Sequence, residues 1–286
     1  MSRNRDRMGG AQNKNVEAPH PSVMQENSGG FSFVVPTEFI ELPSEGKFYP
    51  EGHPLHGQDS IEIKQMTAKE EDILTSRTLI KKGVALDRLI QNLIVDRSIR
   101  AENLLIGDRN AIIIAIRKSG YGAEYSTSVT CPSCTATQDY SFDLNELEVK
   151  NSSDELVEVG VTHNGDGTFN VILPMTGVEI VFKLLTGHDE RLFVQAAEND
   201  RKRKRQEKNI TRQLRNLIVS ANGDESSQAI EYLVDNMPSR DSRHLRMAYE
   251  LAAPNIDMSH SFSCSDCDYE QLLEVPLTAD FFWPDR

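Results

Sequence analysis

Two C-x-x-C pairs constrain this chain more than any other feature of its sequence. Cys131 is paired with Cys134 and Cys264 with Cys267, and the 286 residues contain no other cysteine. The two-residue spacing lets both thiolates of a turn reach one metal ion, and two such turns supply four soft ligands for a tetrahedral Zn²⁺. Because four thiolates leave no coordination position open for water, the pattern predicts one structural zinc ion per chain.

Other chemistries of paired cysteines stay open at this point: disulfides, a redox-active pair, unligated thiols or an iron–sulfur cluster. The N-terminal residues are polar and charged, with no apolar segment behind them, so cytoplasmic synthesis is expected and disulfides are disfavoured. A redox pair usually opens a helix in a βαβ unit, and that context is not visible here. His260 is a further candidate ligand before Cys264, but the cysteines already make a complete set.

The flanks of the two cysteine pairs resemble each other. Short strand-like segments lead into Cys131 and into Cys264, and further strand-like segments leave each pair. Two matching knuckles predict a zinc ribbon that is split between residues 125–150 and 258–286. Since about 130 residues separate the pairs, the metal would close a long loop and tie the C-terminal segment to the middle of the chain.

The rest of the sequence alternates helical and strand-like hydrophobic periods, which predicts an α+β fold with a helical body, β-hairpins and the split ribbon. The expected segments are a disordered N-terminal arm at 1–30, an extended strap at 31–66, a helical region at 67–124, the ribbon at 125–150 and 258–286, a β-hairpin region at 151–186, and a helical insertion at 187–257. The arm contains few apolar residues, so burial cannot offset the entropy of ordering it.

Several residues are candidate helix starts. Thr67 and Glu70 fit a capping box, and Asp108 can cap a helix rich in isoleucine. Thr186 can cap a helix that continues through residues 201–208. Further helices are expected near 209–221, 226–236 and 239–253.

Charge is distributed unevenly along the chain. It carries 31 basic and 44 acidic residues, a net charge of −13, which opposes non-specific binding to nucleic acid or anionic lipid. Residues 201–208 are the exception, with six basic side chains and one acidic one. We interpret this run as a solvated helix face, with contact to nucleic acid or to an acidic partner as the alternative. No apolar run is long enough to span a membrane.

The sequence contains no phosphate-binding loop, dinucleotide fingerprint, H-E-x-x-H or G-x-S-x-G motif. Asn164–Gly167 resembles the start of a calcium loop but lacks the closing glutamate, so a hairpin turn is expected there. Ser239, Asp241 and His244 are the residue types of a catalytic triad, yet their position at a helix start favours capping and surface roles. A zinc enzyme would need an open coordination position, which four thiolates do not leave. Together with the missing motifs, this predicts that the protein is not an enzyme.

Six short segments, together with both cysteine pairs, resemble the baseplate hub and hub-assembly proteins of T-even-type contractile-tailed bacteriophages. The segments are Leu42–Pro50, Leu104–Arg117, Tyr121–Gly122, Leu184–Gly187, Pro238–Arg243 and Phe281–Pro284. They occur in the order of that family and extend over roughly residues 35–286. The resemblance therefore covers most of the chain and leaves out the N-terminal arm.

The resemblance implies a structural or assembly protein of the phage tail baseplate, at its central hub, which acts through protein contacts without catalysis. Its partners would be other baseplate and tail proteins, such as hub, spike or tube components, in a homo- or hetero-oligomeric assembly. It would be made in the host cytoplasm and end in the tail of the virion, without membrane contact. The rival hypothesis is a zinc-ribbon nucleic-acid-binding accessory protein that uses residues 201–208 on phosphates.

Aromatic residues suggest where partners would bind, because they are common interface hot spots. The candidates are Phe31–Ile40, the segment 42–50 and Phe281–Trp283. An equal alternative is that Trp283 and its neighbours cover the ribbon core.

Overall fold

The computed structural model describes residues 22–26, 32–151, 156–275, 277 and 279–282. Within these residues the strands are β1 (Ser22–Glu26), β2 (Ser32–Glu41), β3 (Ser60–Lys64), β4 (Glu124–Thr130), β5 (Thr137–Asp143), β6 (Glu148–Lys150), β7 (Thr162–His163), β8 (Thr168–Ile172), β9 (Glu179–Lys183), β10 (Ile218–Ala221), β11 (Asn255–Asp257), β12 (Ser259–Ser263) and β13 (Glu270–Glu274). The helices are α1 (Ala68–Thr75), α2 (Arg77–Lys81), α3 (Ala85–Leu93), α4 (Ile106–Tyr121), α5 (Gly187–Lys202), α6 (Asn209–Leu217), α7 (Ser227–Asn236) and α8 (Ser239–Ala252).

The strands form small antiparallel sheets rather than one large sheet. Their orders are β1-β2-β3, β10-β9-β8-β7, β11-β6, β12-β13 and β4-β5. Mixed helices and small sheets confirm the predicted α+β class. No helix in the described part of the chain is long and apolar enough to cross a bilayer.

Helix α4 lies at the centre of the main hydrophobic core. Ile112, Ile113 and Ile116 are buried on it, and the helix contacts β2, β11, α3 and α5. Gly107 allows β11 to approach its first turn, because a Cβ at that position would lie 2.0 Å from the Pro254 carbonyl oxygen. The helical body and the sheets are thus assembled around one isoleucine-rich helix.

Three local expectations can be compared with the helix boundaries. Glu70 accepts hydrogen bonds from the Thr67 N–H and hydroxyl, and Asp189 accepts from the Thr186 N–H and hydroxyl, which confirms both predicted helix starts. Asp108 is not a cap. It lies inside the first turn of α4, after Leu105 at the N-cap position.

Two predicted helices were too long. Helix α6 ends at Leu217 because the next residues form β10 and pair with β9, so the helix predicted near 209–221 is wrong at its end. Helix α5 ends at Lys202, and Lys204 has φ +52°, outside the right-handed helical region. Most of the basic run therefore lies in the loop between α5 and α6 and not on a helix face.

The N-terminal segments lie mostly outside the described residues, including nearly all of the arm predicted at 1–30. Within that range Ser22–Glu26 pair with β2, with Ser22 opposite Pro36. The predicted strap from residue 31 contains β2, a series of turns and β3. Leu42 and Tyr49 in these turns are buried, so they are core residues and not the partner-facing anchors that were expected.

Candidate metal centre

The four cysteine sulfurs meet between the tips of two hairpins. Cys131 and Cys134 lie in the turn between β4 and β5, and Cys264 and Cys267 lie in the turn between β12 and β13. All four Sγ atoms lie within 4.8 Å of one another. Across the hairpins, the Sγ atoms of Cys131 and Cys267 are 3.8 Å apart, and those of Cys134 and Cys264 are 3.6 Å apart.

These sulfur distances fit a shared metal ion. Four thiolates at about 2.3 Å from one Zn²⁺ in a tetrahedron lie roughly 3.8 Å from one another. A disulfide would need its two sulfurs at about 2.0 Å, and all four cysteines are free. The described residues contain no other group of three or more His, Cys, Asp or Glu side chains arranged to hold a metal.

The two knuckles have the same backbone geometry. In the first, the Cys131 carbonyl accepts from the Thr135 N–H, and in the second the Cys264 carbonyl accepts from the Asp268 N–H. Thr135 and Asp268 occupy the same place in each turn and have φ +62° and +53°. Left-handed residues there bring the chain back so that the second cysteine of each pair faces the first.

The protonation of the sulfurs is uneven. Hydrogen bonds to Cys131, first from the Cys134 backbone N–H and then from the Ser133 N–H and the neighbouring thiols, outweigh burial and lower the pKa of Cys131 to about 7. The Ala136 N–H lowers the pKa of Cys134, but the neighbouring sulfur of Cys267, burial and the other cysteines outweigh it and raise that pKa to about 12. Sulfur atoms this close resist joint deprotonation, and a divalent cation among them would remove that resistance.

Side chains, and not backbone pairing, join the two hairpins. The Tyr140 hydroxyl donates to the Ser261 carbonyl at 2.7 Å, and the Ser265 N–H donates to Gln138 Oε1 at 3.0 Å. The His260 ring packs edge-on against Phe142 with 5.1 Å between centroids, so His260 serves the hairpin core instead of the sulfur cluster.

Arg117 fixes the base of the first hairpin to the C-terminal segment. Its guanidinium donates to the carbonyls of Phe281, Gly122 and Glu124 at 3.1, 2.7 and 2.9 Å. Its carbon also lies 5.5 Å from the Tyr121 ring centroid. A single buried guanidinium thereby satisfies three backbone carbonyls from two distant parts of the chain.

The C-terminal aromatic residues cover the core. Phe281 and Phe282 are fully buried, and Phe281 packs on Tyr125 at 5.0 Å between ring centroids. Of the two equal alternatives for this segment, burial of Phe281 and Phe282 favours the one in which they cover a core over the partner-facing one. Trp283 lies outside the described residues.

Replacement of Arg117 with Ala is expected to lower the free energy of unfolding by about 3 kcal/mol or more, because three carbonyls lose their donor. Arg117→Lys should be nearly as damaging, since one ammonium cannot reproduce the fork of the guanidinium. Arg203→Ala, at an exposed position, is the matched control and should change stability by no more than about 0.5 kcal/mol. Urea unfolding followed by circular dichroism measures all three; a stable Arg117→Ala protein would contradict this account.

The triad-like residues do not form a catalytic site. Asp241 is buried and accepts hydrogen bonds from the backbone N–H groups of Met175 and Thr176 at 2.8 and 3.1 Å. It therefore stabilises the turn between β8 and β9. Asn164–Gly167 form the turn between β7 and β8, where Asp166 accepts from the Thr168 N–H, as expected for a hairpin.

A cleft of about 820 Å³ lies beside α5, α6, α8 and β11. Its wall includes Leu184, Phe193 and Ile256 and the polar residues Arg212 and Tyr249. Burial raises the pKa of Tyr249 to about 12, so its hydroxyl stays protonated near neutral pH. Tyr249 is therefore poorly suited to act as a general base.

Comparison with known proteins gives one match. Residues 35–169 match the family described as T4 bacteriophage base plate protein. No curated protein and no solved structure matches the chain. The matched range contains Leu42–Pro50, α4 and the first knuckle, and it ends before the second knuckle. This match covers a little less than half of the chain, and it supports a T4-type phage baseplate protein located in the tail of the virion.

Proposed function

We propose that this protein is a structural or assembly component at the central hub of a phage tail baseplate, and that it acts through contacts with other baseplate and tail proteins. The observation that carries the proposal is the family match over residues 35–169. A match to a family of baseplate proteins favours a structural role without catalysis. Hub, spike or tube components are the partners that this role requires.

We further propose that one Zn²⁺ is held by Cys131, Cys134, Cys264 and Cys267. The sulfur distances of 3.6 and 3.8 Å across the hairpins support this ligand set. The ion would be structural, because four thiolates complete its coordination. It would join two hairpins that share no backbone ladder, and would make the split segments 125–150 and 258–286 one zinc ribbon.

Partner contact requires exposed surface, and β2 offers some. On this strand Phe39 is 62% exposed and Val34 is 47% exposed, whereas the side chain of Ile40, next to Phe39, is buried. Of the aromatic segments suggested by the sequence, this strand is the one that presents large apolar side chains to solvent in the described residues. The nucleic-acid alternative has no comparable observation in its favour.

The baseplate role is tested in a phage that encodes this chain. Silencing its synthesis during infection should yield particles without complete baseplates, visible by electron microscopy, while heads still form. Normal infectious particles in the absence of the protein would overturn the proposal. Native mass spectrometry of protein purified without chelator tests the metal separately, and one zinc per chain is the expected result.

A further inference from the structure

The loop between α5 and α6 presents unpaired positive charge. Arg201 pairs with Glu207, and Lys202 pairs with Glu198. The other four cations of the run are exposed, and they make no ion pair with any described residue: Arg203, Lys204, Arg205 and Lys208. Ile210 follows them and is 49% exposed. The loop is thus a cationic surface with an exposed apolar side chain beside it.

The outer face of the β12–β13 hairpin has the opposite character. Glu270, Leu272 and Glu274 alternate along β13 on one face, and Leu272 is 71% exposed. Serines 259, 261 and 263 stand opposite them on β12. Neither glutamate makes an ion pair or a hydrogen bond through its side chain with a described residue. An exposed leucine between two free carboxylates is a surface without a partner in this chain.

The surroundings of this face strengthen its negative potential. Residues 124–150 and 255–275 hold ten acidic side chains, all exposed, against one basic side chain, Lys150, which pairs with Glu250. The acidic residues are Glu124, Asp139, Asp143, Glu146, Glu148, Asp257, Asp266, Asp268, Glu270 and Glu274. A cationic partner would form ion pairs with these carboxylates, and their negative potential would also attract it as it approaches.

We infer that the segment Arg203–Ile210 of one copy, which is the loop after α5 and the first two residues of α6, docks on the β12–β13 face of a second copy of this chain. Each surface matches the other in charge, and each offers one apolar side chain, Ile210 or Leu272, to be buried between the charges. The two surfaces differ, so the contact is heterologous and can repeat from copy to copy. At 0.15 M salt the screening length is about 8 Å. The repulsion between the net negative charges of two copies is therefore weak beyond that distance, whereas ion pairs in direct contact are screened much less.

Nucleic acid fits the loop less well than a second copy does. The segment 201–210 contains no aromatic residue on which bases could stack. The acidic residues of the same molecule would also repel a phosphate backbone. The inference goes beyond the proposed baseplate role and does not require it.

Analytical ultracentrifugation of three proteins tests the contact. The wild type should self-associate, with an apparent association constant that falls at least tenfold between 0.05 and 0.5 M NaCl. A reversed-loop variant, Arg203→Glu with Lys204→Glu and Arg205→Glu, and a reversed-face variant, Glu270→Lys with Glu274→Lys, should each bind themselves at least tenfold more weakly. An equimolar mixture of the two variants should associate again, because each reversed surface then meets an opposite one.

The controls separate a lost contact from a lost fold. Arg77→Glu, Lys81→Glu and Lys82→Glu reverse the same number of charges on exposed residues elsewhere and should leave self-association unchanged. Zinc content of each variant, measured by native mass spectrometry, shows whether the cysteine cluster is intact. A wild type that stays monomeric, or variants that associate normally, would overturn the inference, as would salt-dependent oligonucleotide binding that the reversed loop abolishes without any self-association.

Discussion

Substitution of Cys264 and Cys267 by Ser is expected to unfold the two hairpins at the cysteine cluster while the core around α4 stays folded. A structural zinc bound by thiolates contributes about 10–16 kcal/mol in small zinc domains, and here that energy would hold the tips of two hairpins that share no backbone ladder. The buried cluster beneath the sulfurs is small, formed by Cys131, Phe262 and Cys264. A two-stranded hairpin with so little core is marginal in water without the metal.

Hydrogen exchange of backbone amides locates this effect. Protection in β12, in β13 and at the ends of β4 and β5 next to the cysteines should fall by orders of magnitude, whereas protection in α4 should fall little. Chelation of zinc from the wild type should give the same pattern. Ser133→Ala, between the cysteines of the first knuckle and exposed, is the matched control and should retain both zinc and protection. Unchanged exchange after complete removal of the metal would mean that the side-chain contacts suffice.

The geometry of the cluster was accessible to sequence reasoning because it depends on local spacing. A C-x-x-C turn sets the positions of its own two sulfurs, and the matching flanks of the two pairs indicated equivalent knuckles. Both left-handed turn residues, Thr135 and Asp268, occupy the same position in each knuckle. That the two knuckles meet still required an assumption, namely a shared ion, and the sulfur distances of 3.6 and 3.8 Å are consistent with it.

The buried polar residues could not be assigned in the same way. Asp108 fitted a helix cap and Asp241 fitted a surface or capping role, because both residues stand near helix starts. In the fold each accepts hydrogen bonds from a segment more than sixty residues away, and local patterns carry no information about such partners. The one available signal was their place within two of the segments that resemble the phage family, Leu104–Arg117 and Pro238–Arg243.

The end of α6 was missed for a related reason. The apolar spacing of residues 209–221 fits a helix, and propensity alone does not end it at Leu217. Pairing of Ser220 and Ala221 with β9 overrides that preference. A four-residue edge strand is too short to leave its own alternating pattern in the sequence.

Replacement of Asp108 with Ala is the second substitution with a large expected effect. Its carboxylate accepts from the Ser44 N–H at 2.9 Å, from the Ser44 hydroxyl at 2.6 Å and from the Tyr49 hydroxyl at 2.7 Å. All three donors are buried, so their loss of a partner costs about 1–3 kcal/mol each. The free energy of unfolding should therefore fall by about 3 kcal/mol or more, measured by urea denaturation.

Asp108→Asn is the matched control, because it keeps the shape and the acceptor for the Ser44 N–H. Its amide can donate to the Tyr49 oxygen, so we expect the loss of stability to be less than half of that in the Ala variant. Tyr49→Phe completes a double-mutant cycle and isolates the bond between Tyr49 and Asp108. Equal damage from the Asn and Ala substitutions would show that the negative charge, and not the hydrogen-bond geometry, holds the Leu42–Pro50 segment in place.

The pH dependence separates burial from hydrogen bonding at Asp108. Burial raises the pKa of its carboxyl, while the hydrogen bonds from Ser44 and Tyr49 oppose that shift only in part. Between the ordinary pKa of aspartate and the raised one, the folded state holds a proton that the unfolded state releases, so stability falls as pH rises through this window. Asp108→Asn removes the titration, and the stability of the wild type relative to this variant should decrease across the same window. A relative stability that increases with pH would mean that the three donors outweigh burial and favour the charged form.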